Sequence, residues 1–207
     1  MSAVKNYARK DGSLTHEHFQ LQEFIQVAQL RTDGLSNEEI LTKAKEENIF
    51  QFPTKTQIPV FTRGMLNRLD SLESDALIEL AAEGPRDQAA LVNLYAMMRI
   101  YNVIATFMVD EVAERYLTLN YNIDATDLNA FITRYRSENS EASKWTDSTA
   151  KRIRAVLIEL LVRAGYLANH TSTELFPVYA DDVLLSALRR NGNNAWLPCF
   201  NDCSEAC

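Results

Sequence analysis

Three histidines, His16, His18 and His170, are the only imidazole bases this sequence offers. A nucleophilic triad needs one of them to serve as base, and none lies near a Gly-x-Ser-x-Gly turn or in a catalytic cysteine context. His16-Glu17-His18 places two imidazoles two residues apart, without the His-Glu-x-x-His spacing that puts both on one helix face. It reads as a solvated turn at the start of a helix. All three cysteines, Cys199, Cys203 and Cys207, fall in the last nine residues. If helical, they align three thiols, but structural zinc sites favour C-x2-C or C-x4-C pairs. The stretch also follows the polar Asn191-Gly192-Asn193-Asn194, so residues 192–207 read as a flexible tail holding no metal. Neither phosphate-cradling glycine motif, GxGxxG or GxxxxGK[ST], occurs. No pair of carboxylates stands out from a solvated helix face. The reading is a protein without catalytic residues, metal or cofactor.

Cations are better placed. Lys5, Arg9 and Lys10 form a basic N-terminal arm. Lys55, Thr56, Gln57, Arg63, Asn67 and Arg68 fall on or beside one helical stretch, where they are available to phosphates or base edges. Lys144, Lys151, Arg152 and Arg154 crowd the start of another. Cations near a helix N-terminus run against the macrodipole, by typically 0.3–1 kcal/mol each near the terminal turn. An anion docking there offsets that repulsion, because free N–H groups already point outward. The competing reading is that Asp147 and neighbouring acids neutralise the cluster.

Helices must hold these side chains. Phe19, Phe24, Val27 and Leu30 give an apolar stripe over about 15–32, ended by Asp33-Gly34. Ser36-Asn37-Glu38-Glu39 is a capping box that opens a second helix to about Asn48. A third runs from about Thr56 to Leu72, with Pro59 tolerable in its first turn. Short Asp75–Glu83 stops at Gly84-Pro85. Arg86–Leu119 is apolar nearly all round, which predicts a buried central helix broken near Asn102. Its Met and Tyr side chains read as core fillers rather than a ligand pocket. Asp127–Ser137 and Thr146–Ala164 follow, the second ended by Gly165. Tyr166–Leu167 and Leu175–Tyr179 read as a small hairpin, and a last helix covers about Asp181–Arg190.

The order yields two helix-turn-helix readings. Residues 36–48 support and 56–72 read in the first. In the second, Asp127–Ser137 supports, Thr146–Ala164 reads, and the hairpin supplies the wing of a winged helix. The expected fold is mainly α: a helical core flanked by an N-terminal helix-turn-helix-like region and a C-terminal winged-helix-like region, with one small β-hairpin. The corresponding regions are 1–72, 73–122, 123–191 and the tail 192–207.

Composition agrees with an ordinary globular chain: 207 residues, 46% hydrophobic and 24% charged, net charge −7. Six Gly and five Pro are too few for an all-β chain rich in tight turns. The charge is uneven. Residues 1–70 balance to 0, 71–142 carry −7, 143–190 carry +2 and the tail −2. Neutral-to-basic ends therefore enclose an acidic middle, which is either a solvated face or a docking surface for a basic partner. The most apolar stretch, 89–109, is interrupted by Asn93, Arg99 and Asn102, so no membrane span is expected. The N-terminus has no apolar signal region, and the expected location is the cytoplasm.

The blocks Gly34-Leu35-Ser36-Asn37-Glu38-Glu39-Ile40, Asp127-Leu128-Asn129-Ala130-Phe131-Ile132 and Asp147-Ser148-Thr149-Ala150-Lys151-Arg152-Ile153-Arg154, the last running to Ala164-Gly165-Tyr166-Leu167, carry a family likeness. Over about residues 12–191 the sequence resembles the BrxA family of BREX bacteriophage-exclusion systems. The resemblance implies an all-helical bacterial protein of phage defence, described as similar to the NusB-type RNA-binding fold and also as a DNA binder. It brings no catalytic residues, and the tail lies outside its pattern. An older description of the family as an inner-membrane protein conflicts with the hydropathy. Three functions follow as expectations: non-catalytic binding of double-stranded DNA through phosphates, NusB-like RNA binding, or an adaptor role with other BREX proteins. The DNA-contacting set for the first is Lys5, Arg9, Lys10, Lys55, Gln57, Arg63, Arg68, Lys144, Lys151, Arg152 and Arg154.

Overall fold

The apolar run that begins at Ala89 becomes the axis of the molecule. In the computed structural model, which describes residues 7–204, α5 (Arg86–Ile100) is buried from Ala89 to Met98 without interruption. A helix with no polar face has to be enclosed on every side. Here α3 (Ile58–Leu72) and α4 (Asp75–Glu83) pack directly on α5, with α1 (Leu21–Thr32) against α4 and α2 (Asn37–Glu47) against α3.

The break expected near Asn102 is present. Tyr101 is extended, and the chain turns by 116° between Arg86–Ile100 and Asn102–Leu117. The second arm comprises α6 (Asn102–Phe107), a π-helical stretch Met108–Ala113, and α7 (Glu114–Leu117). No single helix among the described residues is long and apolar enough to cross a membrane, and this pair is sharply bent. A new helix after a sharp turn starts with unpaired N–H groups. One of them, on Val103, donates to the distant Asp11 carboxylate at 3.1 Å.

Local signals place most helix ends. Ser36 and Glu39 form the reciprocal capping box of α2, and Pro59 sits in the first turn of α3. Asp124 and Asp127 cap α8 (Ala125–Glu138) in the same way, and the Thr146 hydroxyl accepts the Thr149 N–H at the start of α9 (Asp147–Arg163). Gly165, at φ +87°, ends α9 in the left-handed region that glycine adopts without strain. Asp181 caps α10 (Asp182–Arg190).

Three expectations are corrected. The helix drawn over 15–32 is instead a 3-10 turn, Asp11–His16, then an irregular stretch, then α1 from Leu21. Gln20, in the left-handed region at φ +49°, interrupts the helical path, and Arg68 holds the interruption: its guanidinium donates to the carbonyls of His18 and Phe19 at 2.8 and 2.9 Å. The hairpin is absent, because no strand forms among the described residues and only an isolated antiparallel bridge, Asn122 to Glu174, remains. Tyr166 and Leu167 spend their N–H groups on the Leu161 carbonyl at the end of α9, while the 173–175 segment pairs with 121–123. The wing of the winged helix goes with it. The tail is not loose over its described residues: Asn194–Phe200 forms a 3-10 helix packed on Met108–Ala113, burying Leu197, Cys199 and Phe200, while Cys207 lies outside the described residues. Those apolar side chains, rather than the polar linker before them, decide its fate.

Candidate nucleic-acid interface

The cations singled out from the sequence divide between two surfaces and the core. Lys5 lies outside the described residues. Arg9, Gln57 and Arg63 are brought together with Thr56 on the wall of a cleft of about 580 Å³. One side of it is the N-terminal half of α3, the other the chain around the Asp11–His16 turn. Arg9 is already engaged with Glu17 at 2.8 Å, whereas Arg63 is exposed and has no carboxylate partner among the described residues. Lys55 is exposed and donates to the Glu46 carbonyl at 2.9 Å, and Lys10 is exposed on the N-terminal segment. Asn67 is partly buried and turned towards the Tyr7 carbonyl.

Arg68 leaves the candidate set. It is 1% exposed, too deep to reach a phosphate. Its guanidinium holds Glu17 at 2.7 Å together with the two carbonyls already named, and approaches Asn93 Oδ1 at 3.3 Å. Burial draws the Glu17 carboxyl upward, but the Arg68 charge and hydrogen bond and the Arg9 charge outweigh it, so its pKa lies below the ordinary 4.5. Glu17 is thus the inner end of a structural ion pair, not part of a solvated turn. Among the described residues no group of three His, Cys, Asp or Glu side chains is arranged to hold a metal ion.

The second surface is built on α8 and α9. Lys151 and Arg154 line a shallow groove of about 390 Å³ with Asn129, Thr133 and Asp147. Apolar side chains at Ile153, Leu157, Leu160 and Leu161 bury one face of α9 and leave Lys151 and Arg152 exposed on the other. Asp147 is engaged by Arg136 at 3.2 Å, and Arg134 by Asp110 and Glu111. Lys144 meets Glu141 at 3.3 Å. Lys151, Arg152 and Arg154 have no carboxylate within ion-pair distance among the described residues. Of the acids weighed from the sequence, Glu141 pairs with Lys144 of the cluster itself, while Asp147 pairs with Arg136 and shares the groove with Lys151 and Arg154. The Asp11–His16 turn packs on α9, so one short segment contacts both the reading-helix candidate and the cleft.

A sequence model of the BrxA family matches residues 11–192. The chain belongs to the BrxA family. A BREX protein BrxA from Bacillus cereus (strain H3081.97) is 28% identical over 147 residues, covering 71% of this chain and 73% of that protein. The fold is also similar to the crystal structure of an uncharacterized protein from Magnetospirillum magneticum, with a TM-score of 0.75 at 18% identity, over 93% of this chain and 98% of that one. The family match takes in the α3 side of the cleft and the α8–α9 surface, leaves out Arg9 and Lys10, and stops just before the Asn194–Phe200 helix.

Sequence reasoning placed Arg9, Thr56, Gln57 and Arg63 at a binding surface but not the rest of the cleft's lining. His16, expected as part of a solvated pair, lines it beside Arg9. Gly64 lines it too, and its signal was legible: a glycine inside a helix-period stretch.

Proposed function

We propose that this BrxA-family protein binds duplex DNA in the cytoplasm as a non-catalytic component of a BREX phage-defence system, mainly through phosphates. The observation that carries this reading is the row Lys151, Arg152 and Arg154 in the first half of α9, unmatched by carboxylates while acids around it are held by other arginines. Three like charges within about one turn of α9 repel one another, and a phosphate backbone relieves that repulsion. In this reading α8 and α9 act as a helix-turn-helix-like pair, with α9 facing the duplex. Lys144 extends that face, while Lys10, Lys55, Gln57, Arg63 and Arg9 supply a second basic surface.

A separate observation favours an additional protein partner. Leu119 is 73% exposed, and Leu117, Tyr121 and Phe176 are exposed around the buried Tyr116, whose hydroxyl donates to the Phe176 carbonyl. Glu114 and Glu174 are exposed beside them. An apolar patch with an acidic rim suits a basic partner, such as another BREX protein.

Fluorescence anisotropy with a labelled duplex and a matched RNA, titrated from low to physiological salt, tests the reading. Duplex binding with log affinity falling steeply against log salt is the expected result. Preference for RNA would replace it with NusB-like RNA binding. Silence on both probes would leave the adaptor role.

A further inference from the structure

Gly64 stands in the middle of the fifteen-residue helix α3, where alanine would be more stable. An interior helical glycine is usually explained by another element packed close against it. Here a Cβ would meet nothing within 4 Å, although Gly64 itself is buried and lines the 580 Å³ cleft. No described part of the chain uses the space that the missing side chain leaves open.

The surroundings of that space state what fits it. Arg63 and His16 present positive or proton-donating groups with no carboxylate partner among the described residues. Among the described residues the cleft is lined by one carboxylate, Glu17, which is held by Arg9 at 2.8 Å and by Arg68 at 2.7 Å. Gln20 and Gln57 offer amides that both donate and accept. Val60, 73% exposed, and Phe61 give an apolar wall beside the glycine. Cationic groups, amides and an apolar wall within one cleft match a phosphate joined to a heteroaromatic ring.

We propose that this cleft takes one unpaired nucleotide, its base laid against Gly64 and Val60 and its phosphate held by Arg63 and His16. The inference deepens the nucleic-acid reading and rests on it, but through a different surface from α9. The same chemistry is presented by a free mononucleotide and by an unpaired residue at the end of a strand.

The test compares a blunt duplex with the same duplex carrying a short single-stranded overhang, for the wild type and for Gly64→Leu and Gly64→Ala. In the wild type the overhang should tighten binding about fivefold, the order expected of one added phosphate contact and the apolar burial of part of one base. Gly64→Leu fills the open space, so it should remove that advantage, read as the ratio of overhang to blunt affinity, with a melting temperature no lower than wild type. Gly64→Ala, which adds only a methyl group and favours the helix, should reduce the advantage in part and remains informative if the leucine variant melts early. Equal binding of blunt and overhang probes by the wild type overturns the proposal, as does a leucine variant that retains the full advantage. An overhang that binds while blunt duplex does not would overturn the α9 reading and leave this one standing. Competition by AMP would assign the free nucleotide as a ligand, and its failure against a retained overhang advantage would assign the strand end.

Discussion

The Tyr135 hydroxyl donates to the Asp11 carboxylate at 2.5 Å, joining residues 124 positions apart in the sequence. The other Asp11 oxygen accepts the Val103 N–H at 3.1 Å, and Asn102 donates to the Tyr135 oxygen at 2.8 Å. One carboxylate therefore fixes the N-terminal turn, the bend between α5 and α6, and α8. Burial and the adjacent Asp11 both push the Tyr135 hydroxyl pKa upward, which keeps it protonated as the donor.

Removing that donor should loosen the N-terminal turn before it unfolds the protein. Tyr135→Phe loses a hydrogen bond to a charged acceptor, about 1.5–3 kcal/mol. Amide hydrogen exchange should then rise first at residues 11–16 and at Val103. Unchanged protection there would show that packing alone holds the turn.

The Arg68–Glu17 pair predicts acid sensitivity. The folded Glu17 pKa lies below its ordinary 4.5, so its contribution is complete above that value and is lost as pH falls through the folded pKa. Glu17→Gln should flatten this acid-dependent loss. At neutral pH it should also destabilise by about 3–5 kcal/mol, because the buried Arg68 charge loses its partner. Adding Arg68→Met should not recover that loss, because the His18 and Phe19 carbonyls then lose the guanidinium as donor. Denaturant melts at pH 7 and pH 3.5 decide it, and a Glu17→Gln variant as stable as wild type at pH 7 refutes the account.

This pair also marks where sequence reading stopped. Ser36-x-x-Glu39, Pro59, Thr146 and Gly165 act over four or five residues, and the structure keeps each as its spacing indicates. The apolar circumference of α5 and its break were legible for the same reason. Arg68 was not, since a helical arginine looks alike whether it faces solvent or the carbonyls of residues fifty positions away. The hairpin failed similarly: strand-like composition in 175–179 says nothing about whether its neighbours' N–H groups are already taken. Arg9, Gln57 and Arg63 were legible as polar and basic, but their convergence on one cleft with His16 depends on the interruption that Arg68 holds.

The C-terminal helix should behave as part of the core. Deleting residues 194–207 removes buried Leu197 and Phe200, a loss of about 3–6 kcal/mol from those two side chains alone. Burial pushes the Cys199 thiol well above its ordinary range, so a thiol reagent should spare it in the native protein and modify it only on unfolding. Rapid native labelling of Cys199, read by peptide mass, or a truncated chain that melts at the wild-type temperature, would return this segment to the status of a loose tail.

The charge row on α9 gives the most quantitative prediction. If Lys151, Arg152 and Arg154 each neutralise one phosphate, replacing all three by Gln should reduce the slope of log affinity against log salt by about 2–3. Two are exposed and Arg154 is partly buried along the groove, so the core face of α9 is untouched and the melting temperature should hold or rise as like-charge repulsion is removed. Weaker binding with an unchanged slope would mean that the variant acts through altered structure rather than lost phosphate contacts. An unchanged affinity would clear α9 and move the search to Lys10, Lys55 and Arg63. Each single variant should lower the slope by about 1, because exposed cations spaced along a helix meet separate phosphates. A single variant that abolishes the whole effect would instead point to one base-edge contact, and affinity would then depend on DNA sequence as well as on salt.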